Sequence, residues 1–159
     1  MAQSLLGRLE ALGAPQLFWN NPGDPGALDA VEAELGQGLP EDYREVMRAR
    51  GGFALSRPGT PLNLFRADEL SGQNADEEFE EGLPGMFMIG TDGGGSAYFY
   101  DPEGRLGRGK WALFLAPFSD LYPAAARFAG ASLSDAVDAA LRGEDLYVRP
   151  PLGAGPAGG

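Results

Sequence analysis

The 159-residue chain contains no histidine and no cysteine, and its single lysine, Lys110, stands beside eleven arginines. Without histidine there is no Ser-His-Asp triad, no imidazole acid–base chemistry and no His-ligated zinc. Without cysteine there is no disulfide, no thiolate nucleophile and no iron–sulfur ligation. Basic residues are scarce as well: 12 against 23 acids, a formal net charge of −11 and a pI near 4.3. That balance argues against nucleic acid as the main partner, because such binding rests on neutralising phosphates with Lys and Arg. No apolar run approaches the ~20 residues of a membrane span, so no membrane partner is expected. Arg8 and Glu10 interrupt the leucines of MAQSLLGRLEALG, leaving no signal-peptide core, and the cytoplasm is the expected compartment.

What is present describes a globular domain. The hydrophobic share is 43%, near the norm, and the length suits one domain with one core. Arginine in place of lysine, with 25 Gly, 13 Pro and many Ala, reads as the codon bias of a GC-rich, bacterial genome. Nothing in these residues sets an oligomeric state.

The negative charge is concentrated. Between Ala67 and Gly104 stand Asp68, Glu69, Asp76, Glu77, Glu78, Glu80, Glu81, Asp92, Asp101 and Glu103, with no Lys or Arg, so this stretch carries −10 of the total. Its densest part, ADEEFEEG at 75–82, is interrupted by Phe79. Like charges at this density repel, and folding alone gains nothing from them. One reading is a solvated, mobile loop that keeps the protein soluble. The other is a surface that steers a basic partner, with Phe79 either an apolar anchor within it or a core residue.

Leu5, Leu6, Leu9 and Leu12 form a helical stripe that Gly13 and Pro15 end. A loop follows from Gln16 to Gly23, with Phe18 and Trp19 expected as core anchors. Asp24-Pro25 is a helix start, Leu28, Val31 and Leu35 share its inner face, and Gly36 is its left-handed cap. A third helix begins at Leu39-Pro40, buries Tyr43, Val46 and Met47, and stops at Gly51-Gly52. Beyond it the period changes: 53–55, 62–65, 86–89, 96–100 and 111–115 read as strands, and Thr91–Gly95 as a tight hairpin turn with glycines at positive φ. Helical spacing returns after Ser132 or Ser134, through Leu133, Val137 and Leu141, and ends at Gly143. The expected architecture is α+β, with N-terminal helices beside a mainly antiparallel sheet, a C-terminal helix and no second core. The expected division is a helix and loop over 1–20, a domain over 21–150, and a flexible Gly/Pro tail over 151–159.

No enzyme class gains support from the motifs, and no cofactor or metal is expected. The GTDGGG run at 90–95 lacks the GK[ST] of a phosphate loop, leads into a strand, and carries Asp92 where a phosphate would sit. Asp92 and Asp101 bracket the hairpin and are close enough in sequence to meet across it, but their spacing fits no calcium loop. Ser71, Ser96 and Ser119 lack a nucleophile elbow and any histidine.

The ordered set of motifs resembles the SUKH superfamily, the group of Smi/Knr-type cell-wall regulators and many bacterial immunity proteins. Glu32, Leu35-Gly36, Leu39-Pro40, Tyr43 and Gly51-Gly52 match its opening helices, with Arg50 where Asn is usual. Ile89-Gly90-Thr91-Asp92-Gly93-Gly94-Gly95, followed by Tyr98 and Tyr100-Asp101, matches its second signature, and Ser132-Leu133 its last helix. Together these span roughly 25–142. The resemblance implies helices packed beside a strongly bent sheet, and binding rather than catalysis. It implies an immunity protein that occludes a cognate toxin, a basic nuclease or deaminase. The expected contact patch is 68–81 with Asp92, Asp101 and Glu103. A regulatory or scaffold module docking on a housekeeping protein is the competing reading.

Overall fold

A computed structural model describes residues 4–21, 24, 26–56 and 58–154. Its helices begin and end where local chemistry dictates. Helix α1 (Leu5–Glu10) is capped by the Ser4 hydroxyl, which accepts from the Gly7 amide. Helix α2 (Ala27–Leu35) follows Gly26, whose amide donates to the Asp24 carboxylate; Pro25 lies outside the described residues. Gly36, at φ 73°, closes α2. Helix α3 (Glu41–Arg50) starts after Pro40 and ends at Gly51, φ 71°. Asp42 accepts the Ser134 amide at the start of α6 (Leu133–Leu141), tying the two helix starts together across 92 residues.

The remaining elements are strands β1 (Leu17–Trp19), β2 (Phe53–Leu55), β3 (Leu62–Leu64), β4 (Phe87–Thr91), β5 (Ser96–Asp101), β6 (Ala112–Pro117) and β7 (Arg127–Gly130), and helices α4 (Ala67–Asn74) and α5 (Glu77–Gly82). The seven strands lie in chain order as one antiparallel meander. The fold is α+β, as the sequence implies. No described helix is long and apolar enough to cross a membrane.

Alternation along the central strands divides the interior in two. Tyr98, Tyr100, Leu113 and Leu115 face the larger cluster, which α1, α2, α3, α4 and α6 cover. Ala97, Phe99, Ala112 and Phe114 face a smaller one, closed by Phe79 and Leu83 and by the segment through Leu121 and Ala126. The single core expected from the sequence is therefore two layers of side chains on one sheet. β4, β5 and β6 lack the polar-outward alternation of a half-exposed sheet because both of their faces are covered.

The ends of the chain differ from expectation. Residues 17–19 are an edge strand paired to β2, and Leu5, Leu9 and Leu17 belong to the main core, so the described residues 4–20 pack as part of the sheet domain. Phe18 is 53% exposed and anchors nothing. Trp19 packs edge-on against Phe53 and lies beneath the Arg50 guanidinium. At the other end, Leu152–Ala154 form a 3-10 turn whose Leu152 amide donates to Ala126, so these residues are docked rather than free; 155–159 lie outside the described residues. Arg149 donates to the carbonyls of Phe128 and Ala129, so the last segment shields edge strand β7.

Candidate partner-binding surface

The acidic run folds into two short helices rather than a loop. Glu69, in the first turn of α4, reaches back to accept the Arg66 amide at 2.9 Å, and Asp68 takes the Arg66 guanidinium on both oxygens at 3.0 and 3.1 Å. Arg66 sits one residue before the stretch that lacks cations, so it compensates Asp68 and Glu69 locally. At the far end of α4, Asn74 clamps the helix to β4: its amide donates to the Leu70 and Met88 carbonyls, and its oxygen accepts from the Met88 amide. Two residues on, Asp76 caps α5 by accepting from the Phe79 amide at 2.9 Å.

Phe79 decides how α5 sits. It is 2% exposed and meets Phe99 edge-to-face at 5.9 Å, and burying such a ring contributes about 1.5–3 kcal/mol. At 100° per residue, anchoring Phe79 inward spreads Glu77, Glu78, Glu80 and Glu81 over roughly 160° of the opposite side. All four are exposed, and none has a cationic partner among the described residues. The helix dipole favours Glu77 and Glu78 in the first turn but gives no support to Glu81 near the C-terminus.

Other expected contact residues lie elsewhere. Asp101 is fully buried and Asp92 only 7% exposed, which removes both from a surface patch. Asp101 accepts the amides of Arg105 and Leu106 and thereby folds the β5–β6 turn. Asp92 accepts the amides of Gly94 and Ser96 and the Tyr147 hydroxyl. Buried turn amides need acceptors, and a nearby carboxylate supplies them strongly. The two do not meet: the length of β5 separates them, about 17 Å at strand rise. Phe79 is a core residue, not a surface anchor. Glu103 is exposed but shares its loop with Arg105, Arg108 and Lys110, so the charge there is net positive.

The Asp92 contact carries a consequence in alkali. Burial, then the hydrogen bond to Asp92, pushes the Tyr147 hydroxyl up to about 12. Burial also raises Tyr43, Tyr98 and Tyr100. A raised pKa means the folded state holds the proton more tightly than the unfolded chain, whose tyrosines titrate near ~10. The stability these groups contribute is intact below pH ~10 and is lost as pH rises through their folded values. Tyr147→Phe should therefore make the decline between pH 10 and 12 shallower in denaturant titrations. An unchanged slope would mean that burial and the Asp92 contact do not hold the Tyr147 proton in solution.

Beside α5 runs a cleft of about 510 Å³. Val31, Leu35, Phe79, Leu83, Met86 and Phe87 give it an apolar lining, and Glu34 and Glu80 stand among its exposed polar residues. On another side of α5, Gly82 lies directly on the Leu121 carbonyl, bringing the half-exposed Tyr122 next to the helix end. Sequence reading misses both features, because the cleft joins α2 to residues some fifty positions later and the β6–β7 loop carries no motif.

The glutamate and tyrosine of the opening motif are internal. Glu32 accepts the Leu39 amide at 2.7 Å and forms an ion pair with the Arg44 guanidinium at 3.1 Å, which holds the turn into α3. Leu39 is buried, and Tyr43 meets Tyr100 edge-to-face at 5.9 Å. In the hairpin, Gly93 alone of the three consecutive glycines has positive φ, at 81°, so the Asp92 carboxylate rather than a run of left-handed residues shapes the turn.

This is an antiparallel α+β domain whose motif residues serve folding, and whose exposed α5 face is acidic and without cationic partners among the described residues. The chain is a member of the SMI1 / KNR4 family (SUKH-1), which matches residues 22–131. Members of this family generally bind proteins rather than catalyse reactions. The match ends just before Ser132, so α6 lies beyond it. No curated protein matches the chain.

Proposed function

We propose that this chain is a cytoplasmic bacterial immunity protein that binds a cognate toxin with a basic, nuclease- or deaminase-like surface and inactivates it by occlusion. The observation that carries this reading is the set of four carboxylates on α5, exposed and without cations among the described residues. A toxin that acts on nucleic acid needs Lys and Arg at its active face, and an acidic ridge fits there in place of phosphate. Asp68, Glu69 and Asp76 are exposed as well, Glu69 and Asp76 while capping α4 and α5.

The test is titration against the toxin-type protein encoded beside this gene, with nucleic-acid turnover as the readout. Stoichiometric inhibition is expected, with affinity falling at least tenfold between 50 mM and 500 mM salt as exposed charges are screened. A complex indifferent to salt, or a bound toxin that still turns over substrate, would refute the proposal.

A further inference from the structure

The cleft beside α5 differs from a metabolite site in the state of its polar groups. Asn74 spends both donors and its acceptor on the backbone of α4 and β4, and the Ser71 hydroxyl donates to Glu34. Among the described residues no spare polar side-chain atom is buried along its walls to orient a polar small molecule, since the buried side-chain atoms left without a hydrogen-bond partner belong to other residues. What has no protein partner among the described residues is Glu80 and the second oxygen of Glu34, both exposed to water at the cleft. An occupant suited to this arrangement is apolar where it meets Leu35, Leu83 and Met86, and cationic where it leaves. The size, about 510 Å³, accommodates one or two side chains and not a folded surface.

We propose that this cleft receives an apolar side chain of a basic partner segment, with arginines or lysines flanking that side chain paired to Glu34 and Glu80. The proposal rests on the reading that the partner is basic and adds where its anchoring side chain goes. Charge screened by water gives rate and salt sensitivity but little positional selectivity, whereas one buried aliphatic group fixes the register of the whole complex.

The experiment is an amide chemical-shift titration of the isotope-labelled protein with three capped heptapeptides: Gly-Arg-Arg-Leu-Arg-Arg-Gly, its Leu→Ser version, and its Arg→Glu version. The first should shift Leu35, Ser71, Ala75 and Met86. It should bind about tenfold more tightly than the serine version and at least tenfold more tightly than the acidic one. Ala75→Trp, which fills the cleft, and the exposed change Glu34→Lys should each remove that preference. If both basic peptides bind alike and neither variant matters, the cleft assignment is overturned while the acidic-surface reading stands. If neither basic peptide binds, the cleft assignment is overturned, and the acidic-surface reading answers to the titration with the toxin-type protein. Equal binding of the acidic leucine peptide, or cleft shifts that follow protein dilution alone and so report a second copy in the cleft, would also overturn it.

Discussion

Changing Glu77, Glu78, Glu80 and Glu81 to lysine is expected to weaken binding to the cognate basic toxin by a hundredfold or more. Each reversal replaces an attraction by a repulsion. Even in water, unit charges ~4 Å apart interact by about 1 kcal/mol, so four reversals acting together exceed the ~3 kcal/mol that a hundredfold represents. Folding should survive. None of the four pairs with a cation among the described residues, and α5 is held by Phe79 and by the Asp76 cap, which the variant keeps. The loss of favourable helix-dipole contacts at Glu77 and Glu78 is about 0.3–1 kcal/mol each, partly offset at Glu81, where a cation suits the C-terminal end of the helix. Affinity by calorimetry, with circular dichroism as the folding control, gives the answer. Unchanged affinity in a folded variant would place the contact surface elsewhere.

Gly90→Ala should be the most damaging small substitution in the sheet. A Cβ at this position would lie 2.2 Å from the Asn63 carbonyl oxygen and 3.1 Å from the Leu64 Cα. Both belong to β3, which is paired on its other side to β2 and cannot retreat without breaking that ladder. Overpacking usually costs about 1–3 kcal/mol, and a collision with fixed backbone lies above that range. A loss of at least ~4 kcal/mol is expected, a large part of a typical domain's stability. Urea denaturation should show a midpoint shift of that size, and a variant within ~1 kcal/mol of the parent would contradict the strand spacing. Gly94→Ala is the internal comparison: its nearest contact is 3.6 Å away and it has no positive φ, so little should change.

Much of the architecture is legible without coordinates. Helix α3 follows from Pro40 and Gly51, and its buried residues, Tyr43, Val46 and Met47, follow from period alone. The hairpin of β4 and β5 is equally plain. The edge strands escape because their own signals are weak, whereas β2 and β3, equally short, carry apolar residues that mark them. β1 and β7 have three and four residues, and their pairing supplies order that their own sequences do not. Helices α4 and α5 hide beneath a charge run: repulsion argues for a loop until Asn74, Asp76 and Phe79 are seen fastening them to the sheet.

The candidate surface divides the same way. The amino-acid sequence by itself determined the absence of histidine and thiol chemistry, the net negative charge, and its concentration between 67 and 104, because composition and order suffice for these. Tertiary structure alone decided which of those acids face water. Asp92 and Asp101 went inward, where their carboxylates accept the amides of the turns beside them, whereas Asp68 is compensated locally by Arg66 two residues before it. Glu77, Glu78, Glu80 and Glu81 stayed outside because one aromatic ring between them was worth more buried than exposed. Depth is a property of packing between distant segments, and a count along the chain carries no measure of it.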